Sequence, residues 1–133
     1  MANIIGIQDL VDGPRHLHVK VDIQGDGSGD DTVVIADAGL KNCGEFRLDG
    51  IWGRLEGFTA HLEWAGATPV TFLQVPNDDE IRMSWERQGG LTNPKVANYT
   101  GDVHLVTSGL GAGEVGTITL DFIKKRKVRR DLL

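Results

Sequence analysis

Hydrophobic and polar residues alternate with a period of two along much of this chain. In RHLHVKVDI, Leu17, Val19, Val21 and Ile23 fall on one side and His16, His18, Lys20 and Asp22 on the other, which is how a strand with one buried face reads. GFTAHLEWA sets Phe58, Ala60, Leu62 and Trp64 against Thr59, His61 and Glu63, and EIRMSWER sets Ile81, Met83 and Trp85 against Arg82, Ser84 and Glu86. GTITLDFIK does the same with Ile118, Leu120 and Phe122 against Thr117, Thr119 and Asp121, and it reads as the last strand. Shorter β-rich runs occur at NIIGIQDL, TVVIAD, EFRLDGIWGRL, PVTFLQV and DVHLVTS. Strong helical periodicity appears nowhere. The clusters QGDGSGDD, DAGLKNCG, AGATP, PNDD, QGGLTNP and GLGAGEVG separate the runs and hold most of the 18 glycines. The pattern predicts an all-β protein, an antiparallel β-sandwich of jelly-roll-like topology with about eight strands.

A length of 133 residues fits one domain, able to bury roughly two-thirds of the surface its unfolded chain exposes. Charge divides it unevenly. Residues 1–123 carry 8 Lys/Arg against 18 Asp/Glu, whereas residues 124–133 carry 6 Lys/Arg and Asp131. The expectation is a β domain over 1–123 followed by a basic C-terminal arm over 124–133. An acidic body repels a phosphate backbone, so the run KKRKVRR is a poor argument for nucleic-acid binding. The single Cys43 cannot form an internal disulfide, which excludes a disulfide-dependent secreted scaffold. The opening MANIIGIQDLVDG lacks the basic and apolar regions of a signal peptide, and no apolar stretch is long enough to span a membrane. A reducing compartment and no membrane are expected.

Motifs that carry chemistry are few. Gly111, Gly113 and Gly116 spell GxGxxG, but the next residues, TITLDFI, are a strand, and a dinucleotide site needs a helix N-terminus there. Asp26, Ser28 and Asp30 alternate as in a calcium loop, yet Asp31 stands where that loop needs glycine and no bidentate acid follows in place. His16 and His18 share the outward face of one strand, roughly 7 Å apart. HLHVKVD resembles the first motif of the cupins over this strand alone. Asp22 replaces the family's Glu, and of the second motif only Gly101 and His104 keep their spacing. That resemblance implies a metal enzyme using His16, His18 and His104; the residues themselves read as polar surface histidines, with no metal and no cofactor. Ser28, Ser84, Ser108 and Cys43 lack a nucleophile's context, so no enzyme is expected. Trp64 and Trp85 belong to apolar faces, and Trp52 is the candidate for an open face, where an aromatic can stack on a sugar or fill a subunit contact.

Three passages together resemble the small β-rich virion proteins of tailed bacteriophages, in particular capsid decoration (cement) proteins: GDGSGDDTVVIAD, FRLDGIWGRLEGFTAHLEWAG and GDVHLVTSGLGAGEVGTITLDFIKK. The resemblance implies a non-enzymatic virion protein, commonly a homotrimer, that binds the major capsid protein or other virion proteins and reinforces the shell. Tail and fibre components share the style, and a carbohydrate-binding module resting on Trp52 is a further alternative. Within this reading the candidate partner-binding residues are Trp52 and the arm residues Lys124, Lys125, Arg126, Lys127, Arg129, Arg130, Leu132 and Leu133. The basic side chains are expected to meet an acidic patch on the shell or a sister subunit, and the two leucines an apolar notch.

Overall fold

A strand that is apolar on one side needs a second layer to cover that side. In the computed structural model, which describes residues 3–66, 68–92 and 100–125, two sheets provide it for each other. The strands are β1 (Ile4–Asp12), β2 (His16–Gln24), β3 (Thr32–Ala36), β4 (Glu45–Glu56), β5 (Thr59–Trp64), β6 (Val70–Val75), β7 (Ile81–Ser84), β8 (Val103–Ser108) and β9 (Val115–Lys125). One sheet has the order β1-β2-β9-β4-β7 and the other β3-β8-β5-β6. All the pairings are antiparallel. Only β1 to β2 and β5 to β6 connect strands of the same sheet; each other step along the chain changes sheet.

The inward residues of both sheets share one buried cluster. Leu17, Val19, Val21 and Ile23 of β2, Ile118, Leu120 and Phe122 of β9, and Phe46, Leu48, Ile51 and Leu55 of β4 join Ala60, Leu62 and Trp64 of β5 and Val103 and Leu105 of β8. Each large apolar side chain so buried contributes about 1.5–3 kcal/mol relative to exposure. Within the cluster Phe46 meets Phe122 at 5.6 Å between ring centroids, and Trp64 stacks on Phe72 at 3.9 Å. The architecture is all-β and sandwich-like, as the alternation predicts.

Several boundaries differ from the sequence pattern, each for a local reason. The buried set of β4 changes from even to odd positions because the register of β4 on β9 shifts between Leu48 and Gly50. Asp49 is the extra residue of that bulge, and the residues beyond it turn over to the other face. β7 ends at Ser84, because the Trp85 N–H turns to the Asp49 carbonyl at 2.7 Å and a 3₁₀ turn, Glu86–Gln88, follows. β9 runs on to Lys125: Lys124 is registered with Phe46 and Lys125 with Glu45. The expected division between residues 1–123 and 124–133 therefore falls inside a strand, and Lys124 and Lys125 belong to the sheet. Arg126, Lys127, Arg129, Arg130, Leu132 and Leu133 lie outside the described residues.

Candidate functional site

β1 is the edge strand of the larger sheet, and its sequence leaves it under-covered. Opposite residues in an antiparallel pair share a face. Ile5 and Ile7 thus lie on the side of their partners Ile23 and Val21, both of which are buried. The smaller sheet has one strand fewer, and of these two only Ile5 packs against the buried core. Ile7 remains 41% exposed, and Ile4, Leu10 and Val11 are 65, 49 and 44% exposed. Leu10 stands out because the register shifts between Asp9 and Val11. Leu40, 82% exposed, belongs to the loop that its neighbour Lys41 ties to this strand through the carboxylates of Asp9 and Asp12. A large apolar group along a free strand edge is what monomeric β proteins normally avoid.

The start of the basic run is built into the same corner. Lys124 Nζ donates to Asp12 Oδ1 and, at 2.7 Å, to the Gly13 carbonyl. Lys125 pairs with Glu45 at 2.9 Å. The hydrogen bonds from Lys124 and then from Lys41 hold the Asp12 carboxyl below the usual carboxylate range. Asp9, followed by Asp12, raises the Lys41 ammonium above its ordinary value. Lys124 therefore ties the β1–β2 turn to β9, and Lys41 ties the same end of β1 to the loop between β3 and β4. Their cationic ends are engaged with the body itself.

Trp52 points outward from β4, between Thr119 of β9 and Arg82 of β7. It is 44% exposed and forms one wall of an open groove of about 480 Å³ that Gly53, Asp79, Glu80, Ile81 and Arg82 complete. An aromatic face with two carboxylates and a guanidinium around it offers stacking and hydrogen bonding together.

The histidines separate. His16 and His18 lie on the outer face of the larger sheet, because their neighbours Leu17 and Val19 point into the core. His104 lies outward on β8, opposite Val34 and Glu63 in the smaller sheet. No three-histidine centre forms among the described residues. Instead β2 and β9 pair His18 with Asp121, bringing His18 Nε2 to 2.7 Å from Asp121 Oδ1. Asp121 was beyond the reach of spacing arguments, since only the β2–β9 register brings it there. Its alternation with Leu120 and Phe122 was the one available signal, and it fixes the face but not the neighbour.

The remaining sequence candidates have structural roles. Cys43 is buried. The glycine-rich segment is the β8–β9 loop, and the GDGSGDD loop is tied to it: Asp30 Oδ1 accepts from the Leu110 N–H at 2.9 Å and the Thr107 hydroxyl at 3.3 Å. The backbone N–H of Leu110 is the main cause of the lowered Asp30 carboxyl. Among the described residues no helix is long and apolar enough to cross a membrane. Comparison of the chain with family models, curated proteins and solved structures finds no match.

Proposed function

We propose that the protein is a non-enzymatic structural subunit that assembles with copies of itself and with a larger lattice, and specifically a capsid decoration protein of a tailed bacteriophage. The observation that carries the assembly reading is β1: an edge strand with Ile4, Ile7, Leu10 and Val11 exposed and, among the described residues, no strand beyond it in the sheet order. Covering it against another subunit buries apolar area and satisfies a free strand edge in one step. The resemblance of the three sequence passages supplies the phage context and the trimeric state, and the site in this reading is the virion.

The finer fold in this reading is a jelly roll. β2 pairs with β9, β3 with β8, β4 with β7 and β5 with β6, as expected of one long antiparallel ribbon, with its bend between β5 and β6, rolled onto itself. β1 is an addition at one edge. Jelly rolls recur in capsid and lectin domains, so the order supports the reading while leaving function to the surface. Weak contacts made by each subunit become strong when several engage a lattice together. The arm in this proposal starts at Arg126, because Lys124 and Lys125 already hold β9.

The test is direct. Light scattering of the purified chain is expected to give a trimer, and the protein is expected to co-sediment with phage shells that lack their decoration. A strict monomer at micromolar concentration that leaves such shells untouched overturns the proposal. A second reading rests on the Trp52 groove, where an exposed indole beside Asp79, Glu80 and Arg82 suits a sugar ring. A glycan array with Trp52→Ala as control decides it; a blank array removes that reading.

A further inference from the structure

We infer that His16, His18 and Asp121 form a binding site for a divalent transition metal, with Zn²⁺ the best match to its donors. Each residue offers one ligand atom, and all three atoms lie within 4.8 Å of one another. Two imidazoles and one carboxylate are a donor set typical of zinc, and three protein ligands leave a fourth position open. In a tetrahedral zinc site with bonds of about 2.0–2.1 Å, ligand atoms lie roughly 3.3 Å apart. His18 Nε2 and Asp121 Oδ1, now 2.7 Å apart, need only part slightly to admit the ion.

The same two atoms supply an independent observation. Both are shielded from solvent, yet neither has a hydrogen-bond partner: their 2.7 Å contact is not aligned as a hydrogen bond. Two electron-rich atoms that face each other without a directed proton suit a shared cation. The backbone holds them there, because His16 is registered with Ile123 and His18 with Asp121 across β2 and β9. The rings of His16 and His18 stand edge to face, at 84° and 6.2 Å between centroids, as two side chains two residues apart on one strand face can when they turn toward a common point. Two basic side chains of this face are engaged with other carboxylates: Lys20 pairs with Asp22 at 3.4 Å, and Arg47 with Asp49. Arg47 donates from Nε and Nη2 to the two carboxylate oxygens of Asp49, at 2.7 and 3.0 Å.

His16 is exposed, so the open position faces solvent and is available to water. This site does not depend on the assembly proposal, and its test reads the single chain. Full-length protein stripped with a chelator is titrated with ZnCl₂ by calorimetry, and in parallel with Co²⁺ followed in the visible spectrum. One ion per chain is expected. His16→Ala and Asp121→Asn are each expected to weaken binding by more than about tenfold, the least that loss even of a supporting second-layer contact usually costs. His61→Ala, paired with Glu63 on the smaller sheet, is expected to leave binding unchanged. Absence of saturable binding, retention of binding in either ligand variant, or an equal loss in His61→Ala overturns the site. Should Asp121→Asn fail to fold, as circular dichroism will show, His16→Ala carries the test, because its side chain is exposed.

Discussion

Gly53, next to Trp52, shows how a single residue lets β4 lie close against β9. It lies on the inner side of β4, registered with Ile118, at φ 144°, and a Cβ there would stand 2.1 Å from the Thr117 carbonyl oxygen and 2.7 Å from the Ile118 Cα. Both obstacles are backbone of the central strand and cannot swing away. Gly53→Ala is expected to destabilise the fold by about 2–4 kcal/mol, from backbone strain and overpacking together, measured by urea denaturation. Acidic residues set a second property at this scale. Asp30 ties the loop before β3 to the loop before β9, and Asp12 ties the β1–β2 turn to Lys124 and Lys41; both carboxyls are held below their ordinary range. A carboxyl lowered by folding binds its proton less readily in the folded chain than in the unfolded one. The stability it lends is complete above the unfolded value, about pH 3.9, and is lost as pH falls through the lower folded value. Melting temperature is therefore expected to fall steeply below about pH 4, and Asp30→Asn, starting lower at neutral pH, to show a shallower acid decline. Equal acid slopes in the two proteins would remove Asp30 from this account.

At the scale of elements, β1 is the strand whose sequence and surroundings agree least. Ile4, Ile7, Leu10 and Val11 are exposed, while β2 beside it is paired on both sides. Ile7→Lys with Leu10→Lys is expected to abolish self-association in light scattering while shifting the melting temperature little, since neither side chain belongs to the buried core. Loss of folding in this variant, or an unchanged oligomer, would contradict β1 as the contact. How far each element was legible follows from the same physics. β2, β5 and β9 as far as Phe122 keep strict alternation, so their faces are read directly: Leu17, Leu62 and Leu120 are all fully buried. β4 could not be, because the Asp49 bulge reverses its alternation, and a bulge depends on the neighbouring strand's hydrogen bonds. β1 reads as a weaker strand, and its register on β2 puts exposed apolar residues on both faces, Ile7 opposite Val21 but Ile4 and Val11 opposite Gln24 and His18. Asp121 beside His18, likewise, is a product of register between strands at opposite ends of the chain. Local pattern fixes faces, and only the assembled sheet fixes neighbours.

For the whole molecule, the run KKRKVRR begins inside β9 with Lys124 and Lys125, and the rest of it lies outside the described residues. β9 lies between β2 and β4 and carries Ile118, Leu120 and Phe122, all fully buried. Without it, β1 and β2 lose their connection to β4 and β7. Truncating one such core side chain to alanine typically costs 2–5 kcal/mol, against a total stability of about 5–15 kcal/mol for a domain. Losing three together with two ladders of hydrogen bonds exceeds what the remainder can supply. A chain ending at Glu114 is therefore expected to be unfolded by circular dichroism. One ending at Lys125 is expected to keep β9, its Lys124 contacts to Asp12 and Gly13, and a melting temperature near that of the full chain. That second truncation removes four Lys/Arg and Asp131, and so separates the fold from the proposed arm. The acidic body alone is expected to lose shell binding in co-sedimentation, because the charge that complements an acidic patch leaves with Arg126–Arg130. If the chain ending at Lys125 binds shells as well as the full protein does, the arm has no part in docking, and the contact rests on β1 and Trp52.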